Sequence, residues 1–162
     1  KIKPFIIVMT YGMTNDIRPG SPGGLRSFNI QPFQTALVDE LIPYVDTHFR
    51  TMADQSHRAM AGLSMGGFET HTITLARPEV FSYYGLLSGG IYNADELKDK
   101  AKPKLIFLSC GSFENPDGIN KATDALKAAG YNAVGFISQG TRHEFQTWRR
   151  SLYQMAPLLF KD

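Results

Sequence analysis

The chain contains a single cysteine among its 162 residues. One thiol excludes an internal disulfide and any metal site built from several cysteines. Cys110 lies in the apolar stretch "KLIFLSCG", which predicts a buried strand residue and not a reactive thiol. The sequence also lacks an apolar run of about 20 residues, the length that a membrane-spanning helix needs. Its first residues, "KIKPFIIVM", include neither an initiator Met nor the pattern of a signal peptide.

A strong excess of charge of either sign is missing as well. The chain has 17 Lys and Arg against 15 Asp and Glu, a formal net charge of +2 at pH 7, and the basic residues are scattered. Nucleic acid and anionic membranes attract concentrated basic surfaces, so neither is expected as a partner. A hydrophobic fraction of 43% and a charged fraction of 20% are typical of one ordinary globular domain with its own core.

Apolar, branched stretches alternate with stretches of helical periodicity along the chain. We predict strands at "PFIIVM", "HRAMAGL", "FSYYGLLSG", "PKLIFLSCG" and "YNAVGFISQG". We predict helices at "FQTALVDELIPYVDTHF", with a kink or distorted turn at Pro43, and at "GGFETHTITLA", "NADELKDKA", "GINKATDALKAAG" and "EFQTWRRSLYQMAPLLF". The stretch from Thr10 to Pro32, rich in glycine and proline, is predicted as a long loop. This alternation favours an α/β fold, with a mostly parallel sheet and helices on both faces.

The stretch "GLSMG", residues 62–66, joins a predicted strand to a predicted helix. It matches the G-x-S-x-G pattern, in which the central serine occupies a strained turn that presents its hydroxyl above the sheet. The residues two before and two after that serine approach each other closely, and glycine at both positions avoids a clash. The N–H of Met65 then lies at the start of a helix, where it can donate to a developing negative charge on oxygen. The pattern predicts Ser64 as a nucleophile; the alternative is a plain glycine-rich turn.

A serine nucleophile needs a base, and the base needs an acid that orients it. His143 follows the predicted strand "YNAVGFISQG", and Glu114 and Asp117 both follow the strand "PKLIFLSCG". The order along the chain, serine then acid then histidine, is that of the G-x-S-x-G hydrolases. Three other histidines have positions that favour surface or packing roles and no metal-ligand spacing, so we expect no catalytic metal and no cofactor: His48, His57 and His71.

The stretches "HRAMAGLSMGGFET", "FSYYGLLSGGIY" and "QGTRHEFQTWRRSLYQMAPLLF" together resemble the esterase D-like branch of the α/β-hydrolases. Within that branch they are similar to the feruloyl esterase domains of carbohydrate esterase family 1 that accompany microbial xylanases. The resemblance covers the whole chain. It implies Ser64 as the nucleophile, His143 as the general base and the Met65 N–H as one oxyanion donor. It implies an acid in "CGSFENPDG", where many relatives carry Asp at the position of Glu114; Asp117 is the second candidate.

The resemblance also implies a missing part. In relatives, a strand that ends in an H-G-type loop precedes the segment similar to "KIKPFIIVM". That strand lies between this segment and the nucleophile strand, and its loop supplies the second oxyanion N–H. We therefore expect residues 1–162 to be the C-terminal portion of a single α/β-hydrolase catalytic domain. On this interpretation it lacks its N-terminal strands, and an N-terminal segment or a second chain completes the fold.

The function implied by the resemblance is hydrolysis of hydroxycinnamoyl esters, typically feruloyl esters of arabinoxylan, through an acyl-enzyme. Because xylan lies outside cells, we expect a secreted or extracellular parent protein. Tyr11, in the long loop, and Trp148, the one tryptophan, are candidate substrate contacts, with ordinary packing as the alternative for both. An acetylxylan or other short-acyl carbohydrate esterase and a non-catalytic carbohydrate-binding relative stay open as alternatives. A serine peptidase of the prolyl-oligopeptidase type is disfavoured because 162 residues leave no room for its large gating domain.

Overall fold

The computed structural model of the chain describes residues 2–12 and 29–161. Most of the loop predicted from Thr10 to Pro32 falls outside them, at residues 13–28. Within the described ranges, no helix combines the length and the apolar character that crossing a membrane requires. The chain divides into two compact units, which are Asp54–Asp162 with Lys1–Pro4 (the larger unit) and Phe5–Ala53 (the smaller unit).

The helix of the smaller unit widens just before Pro43. It consists of α1, a π-helical segment and α2, with the bounds Gln31–Thr35, Ala36–Leu41 and Ile42–His48. At the end of the π-helical segment, the Ile42 N–H donates to the Leu37 carbonyl, five residues back. Proline has no N–H to donate, and its ring crowds the carbonyl four residues earlier, so the chain accommodates it with an extra residue in this turn. The distortion predicted at Pro43 is confirmed.

The prediction of a strand at "PFIIVM" is wrong. Residues 2–10 have no regular secondary structure, and Ile6, Ile7 and Met9 are exposed. An apolar, β-branched run supplies strand propensity, but a strand also needs a neighbouring strand whose N–H and C=O groups pair with its own. The ladders of the described sheet join four strands that all come from later in the chain. Propensity alone therefore does not make this segment a strand.

The larger unit contains a four-stranded parallel sheet. Its strands lie side by side in chain order, with the bounds β1 Ala59–Leu63, β2 Tyr83–Leu87, β3 Leu105–Gly111 and β4 Ala133–Ser138. All four lie within stretches predicted as strands. β2 and β3 are buried along their whole length, as expected for apolar runs covered on both faces. Cys110 is one of these buried residues, and burial raises the pKa of its thiol.

Helices connect and follow these strands. Their bounds are α3 Met65–Ala76, α4 Ala94–Leu97, α5 Pro116–Ala128 and α6 Phe145–Met155, with short 3₁₀ turns at Gln55–His57 and Ala156–Leu158. Each of these four α-helices coincides with a predicted helix, although α4 is shorter than predicted, and no helix was predicted at Gln55–His57. α5 begins two residues earlier than predicted, because the Asn115 side chain accepts the Gly118 N–H and Pro116 occupies the first helical position.

The helices cover both faces of the sheet, as predicted. A Cβ on Gly85 of β2 would lie 2.6 Å from the Met155 sulfur, so α6 packs closely on that face. A Cβ on Gly135 of β4 would lie 2.6 Å from the Thr123 hydroxyl oxygen of α5. Gly85 and Gly135 pair with consecutive residues of β3, and consecutive strand residues point to opposite faces. α5 and α6 therefore lie on opposite sides of the sheet.

The four strands all end at the same edge of the sheet because they are parallel. Ser64 and Ser88 directly follow β1 and β2, Glu114 follows β3, and His143 follows β4. Open α/β sheets bind ligands at this edge. The fold thus brings four polar side chains from four different loops to one place.

Candidate active site

Ser64 occupies a strained turn between β1 and α3. Its φ of 50° and ψ of −115° lie in a region that residues with a Cβ rarely adopt. A Cβ on Gly62 would lie 2.0 Å from the Gly66 carbonyl oxygen, so the turn tolerates only glycine there. A Cβ on Gly66 would meet no atom outside its own helix within 4 Å. The steric reason predicted for the glycine pair therefore holds at Gly62 and not at Gly66.

A second close approach holds the start of α3 against the loop after β2. A Cβ on Gly67 would lie 2.4 Å from the Gly89 Cα. The Ser64 N–H also donates to the carbonyl of Leu87, the last residue of β2, at 3.0 Å. The backbone around Ser64 is thus fixed by its neighbouring strand as well as by its own turn.

One hydrogen-bonded chain links the three predicted side chains. His143 Nε2 lies 2.8 Å from Ser64 Oγ, and His143 Nδ1 lies 2.7 Å from Glu114 Oε1. The Glu114 side chain is 17% exposed and the His143 side chain 48% exposed, so the acid is enclosed and the histidine stays accessible. This arrangement lets His143 take a proton from Ser64 while Glu114 orients its other nitrogen.

Glu114 is held in its ionised form by the groups around its carboxylate. Burial raises its pKa, but hydrogen bonds from the Gly111 N–H, His143 and the Ser88 hydroxyl outweigh burial and leave the pKa below its ordinary value. The Gly111 and Ser88 donors both bind Oε2, at 2.6 and 2.8 Å. Oε1 is left to face His143. A carboxylate with this bonding keeps its negative charge next to the imidazole at neutral pH.

The loops that carry Glu114 and His143 pack tightly against each other. A Cβ on Gly111 would lie 2.4 Å from the Thr141 carbonyl oxygen, so only glycine allows this approach. The same carbonyl accepts the Phe113 N–H at 3.1 Å. Thr147 of α6 contacts the loop that carries His143, where its hydroxyl hydrogen-bonds to the Thr141 hydroxyl and the Arg142 carbonyl. The position of the imidazole therefore depends on two loops and one helix that fix each other.

Met65 is the first residue of α3. The first N–H groups of a helix have no partner within the helix, and the helix dipole gives them a partial positive charge. Its N–H, directly after Ser64, has the placement that an oxyanion donor needs. The structure thus puts the predicted donor at the predicted helix start, and its role stays a prediction.

The two predicted substrate contacts lie in different units. Trp148 belongs to α6, and its ring meets the His143 ring edge-to-face with 5.1 Å between centroids and 88° between planes. Trp148 also lines an open, apolar cavity of about 540 Å³ together with Leu63, Leu87, Phe145, Gln146, Arg149 and Leu152. Tyr11 belongs to the smaller unit and is 82% exposed. Contact of either ring with a substrate stays a prediction.

The second candidate acid, Asp117, is exposed in the first turn of α5, whereas Glu114 makes the bond to His143. The remaining histidines have other partners: His48 bonds to the Tyr44 carbonyl, His57 pairs with Asp54, and His71 pairs with Glu96. No three His, Cys, Asp or Glu side chains in residues 2–12 and 29–161 cluster so that they could hold a metal ion.

Ser88 is a site residue that the sequence analysis missed. Its hydroxyl donates to Glu114 Oε2 at 2.8 Å, and its φ of 49° is positive, like that of Ser64. The available signal was its position as the first polar residue after the buried strand "YYGLL", at the edge where the other site residues lie. The G-x-S-x-G pattern and the order of serine, acid and histidine do not include Ser88, so they give no indication of its role.

Known proteins share this sequence and this fold. The model of the Esterase family, "Putative esterase", matches residues 3–159. An endo-1,4-beta-xylanase/feruloyl esterase of Xylanibacter ruminicola is 59% identical over 161 residues, which are 99% of this chain and 22% of that protein. An esterase of Mycobacterium tuberculosis is 36% identical over 72 residues, 41% of this chain and 14% of that protein. A CE1 ferulic acid esterase of Anaeromyces mucronatus in complex with ferulic acid superposes with a TM-score of 0.67 at 16% identity, covering 81% of this chain and 55% of that chain.

The parallel sheet with helices on both faces and the serine turn between β1 and α3 are those of an α/β-hydrolase. The chain belongs to the Esterase family, whose model matches nearly its whole length. The resemblance seen in the sequence is therefore confirmed. The chain spans 22% of the length of the xylanase/feruloyl esterase and 55% of the ferulic acid esterase structure.

Proposed function

We propose that this chain hydrolyses hydroxycinnamoyl esters, such as feruloyl esters of arabinoxylan, through an acyl-enzyme on Ser64. The observation that carries the proposal is the hydrogen-bonded chain from Glu114 through His143 to the Ser64 hydroxyl. A serine hydroxyl is a weak nucleophile until an adjacent base removes its proton, and this geometry supplies that base.

The proposed reaction has two steps. Ser64 Oγ attacks the ester carbonyl carbon while His143 Nε2 accepts its proton, which gives a tetrahedral intermediate. The bond between that carbon and the alcohol oxygen then breaks, and His143 returns the proton to the departing alcohol. Water, deprotonated by the same nitrogen, attacks the acyl-enzyme, and the carboxylic acid and free Ser64 are released. Glu114 keeps the imidazole in the tautomer with Nε2 free and stabilises the imidazolium.

The proposed oxyanion hole begins with the Met65 N–H at the start of α3. The negative oxygen of the intermediate forms next to Ser64, and a helix N-terminus stabilises such a charge. We expect the second N–H donor to come from an N-terminal segment or a second chain. Loss of one such donor typically lowers kcat by about 10²–10³-fold.

Two observations support an aromatic acyl group as the substrate. The relative that is 59% identical is named as a xylanase/feruloyl esterase. The cavity beside the Ser64 turn has an apolar lining that includes Trp148 and Phe145, which suits a flat aromatic ring. Trp148 is the proposed acyl contact, and Tyr11 remains a second one. A substrate in plant cell walls would place the parent protein outside the cell.

The experiment that tests this proposal compares two aryl esters with the same chromogenic phenol as leaving group. Stopped-flow release of the phenol from the feruloyl ester by the full-length protein should show a burst followed by steady turnover. Ser64→Ala should abolish both phases. Ser109→Ala is the matched control, because the Ser109 hydroxyl is fully buried and has no hydrogen-bond partner within the described part of the chain. A higher kcat/KM for the acetyl ester than for the feruloyl ester would favour the short-acyl alternative, and no turnover of either ester would favour a binding role.

A further inference from the structure

Ser88 lies where the acid of the proposed triad is held. It directly follows β2, and its N–H donates to the Ser109 carbonyl of β3 at 2.7 Å, so two strands fix its backbone. Its φ of 49° lies in the left-handed region, which glycine adopts far more readily than serine. A serine kept in this conformation points to a use for its hydroxyl.

The Ser88 hydroxyl is directed at one atom. It donates to Glu114 Oε2 at 2.8 Å, and the Gly111 N–H donates to the same oxygen at 2.6 Å. Glu114 Oε1, 2.7 Å from His143 Nδ1, is the other end of the carboxylate. The donors come from the ends of two different strands, so together they fix the plane of the carboxylate and not only its distance. With one donor fewer on Oε2, the carboxylate can rotate further about its last bond.

A glutamate needs this second donor more than an aspartate would. Its side chain has one more rotatable bond, and the last torsion of a glutamate is broad and poorly defined by itself. Each freely rotating bond lowers the fraction of time in which Oε1 faces His143. The Ser88 hydroxyl, directly after β2, restricts that motion in addition to the Gly111 N–H at the end of β3.

We propose that Ser88 is a positioning residue of this esterase, which holds the Glu114 carboxylate so that Oε1 alone faces His143. The proposal rests on the proposed triad. Ser88 acts only through Glu114, and the predicted effect is on kcat and not on KM. In Glu114→Gln no carboxylate oxygen faces His143, so loss of the Ser88 hydroxyl should have no further effect on kcat.

The first test is Ser88→Ala in the full-length protein, with Ser109→Ala as the matched control. Loss of a hydrogen bond to a charged group should lower kcat about 10-fold, with KM within about twofold of wild type. Ser109→Ala, which removes a buried hydroxyl without a partner in the described residues, should leave kcat unchanged. An unchanged kcat in Ser88→Ala, or an equal loss in Ser109→Ala, would overturn the proposal.

A second variant separates positioning from folding. Ser88→Gly removes the hydroxyl at a φ that glycine prefers, so its Tm should equal or exceed that of Ser88→Ala while kcat falls equally. Ser88→Ala should also cause no further loss of kcat when it is added to Glu114→Gln, because coupled residues are non-additive. A loss of the same factor in both backgrounds would show a merely structural role and refute positioning.

The same set of variants distinguishes failure of this inference from failure of the proposed function. If Ser64→Ala and Glu114→Gln keep wild-type activity, the triad itself is wrong. If both lose activity while Ser88→Ala keeps it, the triad stands and only the positioning role of Ser88 fails.

Discussion

Replacing Glu114 by Gln keeps the shape of the side chain and changes the atom that faces His143. In the wild type, Oε2 accepts the Gly111 N–H at 2.6 Å and the Ser88 hydroxyl at 2.8 Å, while Oε1 lies 2.7 Å from Nδ1. A glutamine amide has one oxygen and one NH₂ group. Because the Gly111 N–H is a fixed donor, the oxygen should take the position of Oε2. The NH₂ group then faces His143.

An NH₂ donor at that position forces Nδ1 to become the acceptor. The imidazole then carries its hydrogen on Nε2, 2.8 Å from Ser64 Oγ, and this nitrogen can no longer accept the serine proton. Substitution of the acid by its amide in a triad of this kind lowers kcat by about 10⁴-fold, because the histidine is held in the wrong tautomer. At 1.36 kcal/mol for each tenfold, this corresponds to about 5 kcal/mol of transition-state stabilisation.

The assay is steady-state hydrolysis of a chromogenic aryl ester, with kcat and KM measured separately. Asp117→Asn is the matched control, since it makes the same chemical change at an exposed acid in the first turn of α5 and should leave kcat near wild type. A Glu114→Gln enzyme that keeps kcat within tenfold of the wild type would show that Glu114 does not set the tautomer of His143. A large loss in Asp117→Asn instead would make Asp117 the acid.

Three further predictions concern stability. Gly62→Ala should destabilise the fold by about 3 kcal/mol or more in urea denaturation, because its Cβ would lie 2.0 Å from the Gly66 oxygen. Gly66→Ala, whose Cβ meets no atom outside its helix within 4 Å, should be neutral or stabilise by up to about 1 kcal/mol, and equal losses in the two variants would contradict the geometry. Burial raises the pKa of Glu69, whose Oε1 is buried and unpartnered among the described residues, so its ionisation destabilises the fold as pH rises through the ordinary carboxyl value. Glu69→Gln should therefore raise Tm at pH 7 and leave it unchanged at pH 4, and the reverse pattern would be contrary evidence. The pKa of Glu114 is lowered in the folded protein, so the ionised carboxylate stabilises the fold above pH 4.5, its ordinary pKa. This stabilisation is lost as the pH falls below that value. The Tm of the wild type should therefore fall more steeply than that of Glu114→Gln as the pH is lowered below 4.5, and equal slopes would contradict this prediction.

The sequence predicts the nucleophile well because the strained turn at Ser64 admits few residue types around it. The turn at Ser64 requires glycine at residue 62, and the structure has a 2.0 Å conflict for any other residue there. His143 and Glu114 follow β4 and β3, so parallel strands alone bring their loops to the edge where Ser64 lies. The approximate placement of the three side chains follows from that topology, which strand and helix periodicity already indicates.

The positions of the acidic residues after β3 do not decide between Glu114 and Asp117. The residue at which α5 begins does decide between them. Asn115 caps α5 and Pro116 occupies its first position, so Asp117 belongs to the helix and Glu114 to the turn before it. The stretch "NPDG" carries this signal, since asparagine and proline are typical of the cap and first position of a helix. This signal favours Glu114 over Asp117 as the acid that faces His143.

Two features lie beyond what local sequence can decide. The "PFIIVM" segment has strand propensity, but pairing with a neighbouring strand is a property of the whole fold, and residues 2–10 have no regular structure. Ser88 is one of several serines near strand ends, and its contact with Glu114, 26 residues later, becomes visible only when β2 and β3 lie side by side. Long-range contacts of this kind set the details of the site.

The proposed acyl-enzyme can be detected directly by mass spectrometry of the full-length protein, quenched during turnover of an aryl feruloyl ester. We predict a mass increase equal to one feruloyl group, which peptide mapping assigns to Ser64 and which Ser64→Ala lacks. Steady turnover with the feruloyl group on another residue, or with Ser64→Ala as active as the wild type, would contradict it.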